Sequence, residues 1–92
     1  MLNPNETLEI PVIHSNGSGR ENLLNQLTDA RYALSKAIGT LQDTQPHMRD
    51  YYVKPDAPAC YIRAMEQHTR RMAMLGEVDR QLAAIGEEIS DA

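Results

Sequence analysis

Residues 61–89 read YIRAMEQHTRRMAMLGEVDRQLAAIGEEI, and this stretch decides the fold. Its apolar residues and one histidine recur at spacings of three and four, which places them along one side of an α-helix. They are Tyr61, Met65, His68, Met72, Leu75, Val78, Leu82, Ile85 and Ile89. With Asp56 as N-cap and Pro58 in the first turn, the pattern predicts a helix over 57–90. Gly76 interrupts the pattern and would permit the close approach of another helix or a slight bend.

A second stripe with the same spacing lies earlier in the chain. It consists of Leu23, Leu27, Ala30, Leu34, Ala37 and Leu41. Ser18 and Glu21 have the spacing of a capping box, which predicts the start of a helix. Pro46 favours its end, because the residue before a proline avoids helical geometry. The sequence therefore predicts a helix over 18–44 and a loop over 45–56.

Two apolar stripes in a short chain predict an all-α helical hairpin of two long antiparallel helices. The chain has 92 residues, no Trp, no Phe and only four Tyr, so large aromatic side chains contribute little to any core. Small scaffolds often gain stability through oligomerisation. We therefore expect residues 18–92 to form a hairpin that associates as a coiled coil or helical bundle, with itself or with another protein.

The N-terminal region, residues 1–17, predicts an extended arm and a flexible joint. Leu8, Ile10 and Val12 alternate with Glu9 and Pro11, which is typical of extended chain. A strand containing Pro11 would lie at a sheet edge, and the segment could instead pack over a helix. The glycine- and serine-rich stretch at 15–19 is expected to be a joint.

Charge and composition disfavour several functions. The net charge is −4 and no basic face dominates, so binding to duplex nucleic acid, which depends on phosphate neutralisation, is disfavoured. Cys60 is the single cysteine and cannot form an internal disulfide, which favours a reducing compartment. Neither a signal peptide nor a membrane-spanning segment is predicted. We expect an intracellular protein or part of an assembly made inside a cell.

The predicted loop is rich in side chains that bind ligands or proteins: His47, Arg49, Tyr51, Tyr52 and Lys54. Cations and tyrosines together could hold an anionic ligand, or they could anchor a partner protein. In a third interpretation, Tyr51 and Tyr52 fold back over the open end of the hairpin, and Arg49 and Asp50 cap helix ends. The sequence leaves these three interpretations open.

Catalytic and metal chemistry have little support. His68 lies on the apolar stripe, where a lone histidine is typically a core residue hydrogen-bonded to a neighbour. Arg71 and Met72 occupy the positions at which a helical metal site would need ligands. No activating partner for Cys60 is evident, and a two-helix hairpin suggests no cleft. Neither an enzyme nor a cofactor is predicted.

The stretch from Pro46 onward, PHMRDYYVKPDAPACYIRAMEQHTRRMAMLGEVDRQLAAI, resembles small uncharacterised helical proteins of phages and bacteria. The motif Pro-His-x-Arg-Asp-Tyr-Tyr at 46–52 and the following helix carry the likeness, which covers about half of the chain. The resemblance implies a viral or prophage setting and no established activity. We therefore expect a minor virion or assembly component that binds neighbours through its arm and Tyr-Tyr loop. The alternative is a small regulator or anti-defence protein that binds a host protein or sequesters an anionic nucleotide.

Overall fold

The computed structural model describes residue 3 and residues 5–91. Helix α1 spans Arg20–Gln42, a short 3-10 helix spans Met48–Asp50, and helix α2 spans Ala57–Asp91. The two long helices pack against each other, the 3-10 helix packs against α2, and the described residues form no strand. The predicted all-helical, two-helix fold is therefore confirmed.

Two contacts between the helices define an antiparallel register. Arg20 Nε donates to the Ile89 carbonyl at 3.1 Å, and Arg31 Nε donates to Asp79 Oδ1 at 2.9 Å. From the first contact to the second, the chain advances eleven residues along α1 and goes back ten residues along α2, as expected for antiparallel helices. Because α1 ends at Gln42, the same register places its last turn near the level of His68. The first third of α2 projects beyond α1.

Helix α1 begins later than the capping-box prediction. Its N-cap is Gly19, no side chain caps it, and the first helical bond runs from the Leu23 amide to the Gly19 carbonyl at 3.1 Å. The prediction of a Ser18 cap is wrong. Gly19 has φ 82°, a left-handed conformation that favours glycine, so the chain turns there and the helix starts at Arg20.

The other helix ends differ from the predictions by one or two residues. Helix α1 ends at Gln42, because the amides of Asp43 and Thr44 bond to carbonyls three residues back. Such tighter bonds are common where a helix ends. Helix α2 begins at Ala57 as predicted and ends at Asp91, and the Cys60 amide donates to the Asp56 carbonyl at 3.0 Å.

The face that α1 turns toward α2 is rotated from the predicted stripe. Ala30 and Ala37 are exposed, contrary to prediction, and Leu24 and Ile38 are half-buried in their place. The half-buried residues are Leu23, Leu24, Leu27, Leu34, Ile38 and Leu41. Arg31 is not part of the predicted apolar stripe, yet its guanidinium bonds to Asp79 of α2. Larger side chains bury more apolar area than alanine, so the rotation favours packing.

Helix α2 is covered more completely than α1, above all in its C-terminal half. Every residue from 81 to 86 is half-buried, although six consecutive helical residues point in all directions around the axis. Helix α1 can cover one side only. Leu8, Ile10 and Ile13 of the N-terminal arm are half-buried, and we infer from this that the arm covers the other side of α2. Extended chain from Ile13 to Leu8 spans roughly 17 Å, about the length of eleven helical residues.

The apolar residues of the arm are not covered equally. Val12 is 77% exposed, whereas Leu8, Ile10 and Ile13 are half-buried. At Gly76, α1 does not approach closely, because no atom lies within 4 Å of a Cβ built there. Gly86 lies closer to α1, since a Cβ at that position would be 3.8 Å from Leu27 Cδ1.

Candidate functional site

The loop between the helices is held by its own backbone hydrogen bonds. The amides of Tyr51 and Tyr52 both donate to the Met48 carbonyl, at 2.9 and 3.0 Å, and the Lys54 amide donates to the Tyr51 carbonyl at 2.9 Å. Two successive turns therefore follow the extended His47. These bonds hold the loop backbone in one conformation and thereby set the directions in which its side chains point.

The two adjacent tyrosines occupy different environments. Tyr51 is half-buried, and its ring meets the Tyr61 ring of α2 edge to face, with centroids 6.3 Å apart. Tyr52 is 67% exposed. Edge-to-face pairs stabilise a protein by about 0.5–1.5 kcal/mol beyond the area that they bury. Tyr51 thus fastens the loop to α2, and Tyr52 is left available for contact with another molecule.

The structure does not bring the five predicted loop residues into one site. His47, Arg49, Tyr52 and Lys54 are exposed, and Tyr51 is turned toward α2. Among the described residues, no side-chain hydrogen bond ties Arg49 or Asp50 to a helix end, so the expected caps do not form.

Two further loop residues, Met48 and Val53, are exposed beside Tyr52. Their exposed fractions are 42% and 77%. We call Met48, Tyr52 and Val53, with the cations Arg49 and Lys54, the loop-tip patch. Sequence reasoning missed Met48 and Val53 because it selected polar and aromatic side chains. The available signal was two large apolar residues inside a loop bounded by prolines.

A second cluster of polar groups lies at the start of α2. The Cys60 thiol donates to Asp56 Oδ1 at 3.0 Å, and Arg63 Nη2 lies 3.2 Å from Asp56 Oδ2 and 3.3 Å from Cys60 Sγ. The bonds from Cys60 and Arg63 lower the pKa of Asp56, and the bond to Asp56 raises the pKa of the thiol. A raised pKa keeps Cys60 protonated at neutral pH, which disfavours nucleophilic chemistry.

His68 and Gln81 carry buried polar atoms without partners. His68 is 7% exposed, and its Nδ1 has no hydrogen-bond partner among the described residues, nor does Gln81 Nε2. The burial of His68 agrees with its place on the stripe. An unsatisfied buried polar atom costs roughly 1–3 kcal/mol, and an ordered water removes that cost.

An apolar groove runs along the part of α2 that projects beyond α1. Its volume is about 580 Å³, and its lining residues form two adjacent rows of the helix surface at spacings of four. One row is Tyr61, Met65 and Thr69, and the other is Ile62, Glu66 and Arg70. Grooves between such rows are where a second helix packs.

Within residue 3 and residues 5–91, neither a group of metal ligands nor a membrane-spanning helix is found. The described His, Cys, Asp and Glu side chains form no group of three placed to hold a metal ion. None of the described helices combines the length and the apolar character that crossing a bilayer requires.

Comparison with known proteins gives no assignment: no family model, curated protein or solved structure matches this chain. Any function must therefore be argued from the residues themselves.

Proposed function

We propose that this chain is a non-enzymatic interaction protein that binds a neighbouring protein through the loop-tip patch. The observation that carries the proposal is the concentration of exposed large apolar side chains at one end of the hairpin. Met48, Tyr52 and Val53 lie within six residues and are 42%, 67% and 77% exposed. Exposed apolar clusters rimmed by charge are typical of protein interaction sites.

The chemistry of the patch suits a protein partner with an apolar pocket and an acidic rim. Tyr and Arg are the residues that most often dominate the energetics of an interface. Tyr52 and Arg49 are both exposed, and Lys54 adds a second cation. The backbone bonds of the loop and the Tyr51–Tyr61 contact hold the patch in place before binding, which lowers the entropy lost on association.

We further propose that the chain associates with itself into a helical bundle. Only Ala57, His68 and Ile89 are buried among the described residues, so most of each apolar stripe remains partly exposed. The resemblance of the loop motif to phage-type proteins supports a finer proposal, a minor component of a virion or of its assembly in the host cytoplasm.

Cross-linking from the patch tests the interaction proposal. A photo-reactive amino acid at Val53 should cross-link one protein of the native source, and the same group at exposed Thr40 should not. Tyr52→Ala should reduce recovery of that protein at least about tenfold, as expected for an interface anchor. Equal recovery by wild type, Tyr52→Ala and a Tyr32→Ala control would contradict the proposal.

A regulator that sequesters an anionic nucleotide is the second candidate. It is favoured by the cations Arg49 and Lys54 and the imidazole of His47, all exposed, beside the exposed ring of Tyr52. Isothermal titration with a nucleotide panel separates the two functions. Binding tighter than about 10 μM that disappears in Arg49→Ala would favour the regulator.

A further inference from the structure

The molecule exposes more surface than a compact protein of its mass. Its accessible surface is 6842 Å², about 1,400 Å² more than the roughly 5,400 Å² expected for a globular monomer of this size. Its radius of gyration is 18.6 Å, against about 12 Å for a compact domain of this length. A standard interface buries about 800 Å² on each partner, so the excess is sufficient for one dimer contact.

One row of exposed residues on α2, around the level at which α1 ends, has the chemistry of such a contact. Ile62, Glu66, Arg70 and Met74 follow one another at spacings of four, and all four are exposed. We call these four residues the α2 ridge. Ile62 is 55% exposed and Met74 is 42% exposed, and neither Glu66 nor Arg70 has an ion-pair partner in the described part of the chain. The ridge is about 18 Å long, because a helix rises 1.5 Å per residue.

The α2 ridge is complementary to itself when it is reversed. It reads apolar, acidic, basic, apolar, so an antiparallel copy places an apolar residue opposite an apolar residue and an acid opposite a base. The groove between this ridge and the Tyr61, Met65 and Thr69 row has the position that a ridge of a second helix would occupy. Packing of two such rows gives helices that cross at about −50°.

We propose that two copies of this chain form a symmetric dimer through their α2 ridges, antiparallel about a two-fold axis near the level of His68. Ile62 then packs against Met74 of the second copy, and Glu66 pairs with Arg70 of the second copy. Because a two-fold interface contains each contact twice, a single substitution in the chain changes two contacts of the dimer. This inference rests on the proposed self-association and names the face that carries it.

Charge reversal in separate chains tests the pairing. In a dimer of Glu66→Arg chains, the introduced arginine of each copy lies opposite Arg70 of the other copy. In a dimer of Arg70→Glu chains, the introduced glutamate of each copy lies opposite Glu66 of the other copy. Each variant alone should dimerise at least about tenfold more weakly, because like charges at an interface repel. An equimolar mixture of the two should dimerise like the wild type. In the mixed dimer the introduced arginine of one chain meets the introduced glutamate of the other, and the two unchanged residues pair as in the wild type. An effect within one chain cannot produce that rescue.

Light scattering across a dilution series provides the readout. The expected wild-type mass is twice the 10.3 kDa of one chain, and Glu88→Arg, an exposed position of α2 outside the ridge, should leave it unchanged. Ile62→Ser and Met74→Ser should also weaken the dimer, with helicity monitored by circular dichroism. A wild type that is monomeric at every concentration would overturn the self-association itself. A wild-type dimer that all ridge variants retain, or a mixture that fails to associate, would overturn the ridge alone.

Discussion

The two parts of α2 contrast in what covers them. From residue 69 to 89 the helix lies alongside α1, and its burial extends around the whole circumference between residues 81 and 86. From residue 57 to 68 it projects past the end of α1, where the 3-10 helix packs against one side and Ile62 is left 55% exposed. One continuous helix is thus half-buried on all sides at one end, whereas at the other end it buries Ala57 and His68 and keeps an exposed outer side. The difference depends on which segments reach it, because both parts carry the same apolar spacing.

The largest expected effect comes from charging the covered part. Ile89 is 1% exposed, so Ile89→Asp should lower the free energy of unfolding by about 3 kcal/mol or more, since it buries an unpaired carboxylate. Urea denaturation followed by circular dichroism measures the loss. The matched control is Gln67→Asp at an exposed position of the projecting part, which should cost about 0.7 kcal/mol or less. Equal losses of unfolding free energy in the two variants would show that the two parts of α2 are covered equally.

Weakening the arm should affect one part of α2 and spare the other. Replacing half-buried Leu8 and Ile10 together by Ser should cost about 1–2 kcal/mol, because less apolar surface is buried. Amide hydrogen exchange should accelerate at residues 77–86 and remain unchanged at 60–70.

Val12→Ser is the control for the arm, because Val12 is 77% exposed and should change neither quantity. Unaltered exchange at residues 77–86 in the double variant would show that the arm does not cover α2.

The adjacent loop residues Tyr51 and Tyr52 allow the same comparison beside the projecting part of α2, since one is packed and the other is exposed. Tyr51→Leu should destabilise the protein by about 1 kcal/mol, because it removes the edge-to-face contact with Tyr61. Tyr52→Leu should leave stability nearly unchanged and weaken partner binding instead. Thermal unfolding of both variants measures the difference, and a larger loss for Tyr52→Leu would reverse the assigned roles.

The smallest expected effect is electrostatic and concerns the covered part. The hydrogen bond from Arg31 lowers the pKa of Asp79 in the folded state, so the pair stabilises the fold above the unfolded pKa of about 3.9. That contribution disappears as the pH falls through the lower folded pKa. Arg31→Gln should therefore lose a small amount of stability near neutral pH and none in strong acid. Denaturation series at the two pH values measure the change.

The control for the ion pair is Arg71→Gln, an exposed arginine without an ion pair in the described part of the chain. It should show no such pH dependence. A parallel change in both variants would mean that net charge, and not the pair with Asp79, is responsible.

Much of the fold was predictable because helical periodicity is a local signal. The start of α2 at Ala57 followed from Asp56 and Pro58, and two apolar stripes implied two packed helices. The start of α1 was missed because the capping-box spacing of Ser18 and Glu21 ignores the positive φ of Gly19. The rotation of the α1 face was missed because Arg31 gains its partner Asp79 only across the helix pair.

The loop shows the limit of prediction for the candidate site. Its composition indicated a surface rich in binding side chains, and His47, Arg49, Tyr52 and Lys54 are exposed. Composition could not separate Tyr51 from Tyr52, since adjacent and identical residues have the same propensities. Met48 and Val53 were missed because apolar residues are normally expected inside, and their exposure depends on the turns that follow His47.

By itself, the sequence determined that this chain forms two helices with apolar sides, because side-chain spacing along a helix is fixed by 3.6 residues per turn. Only the tertiary structure decided which of those apolar residues are covered. Helix α1 has 23 residues and α2 has 35, so the longer helix projects beyond the shorter one. The projecting part therefore keeps exposed apolar residues such as Ile62, because α1 is too short to cover them.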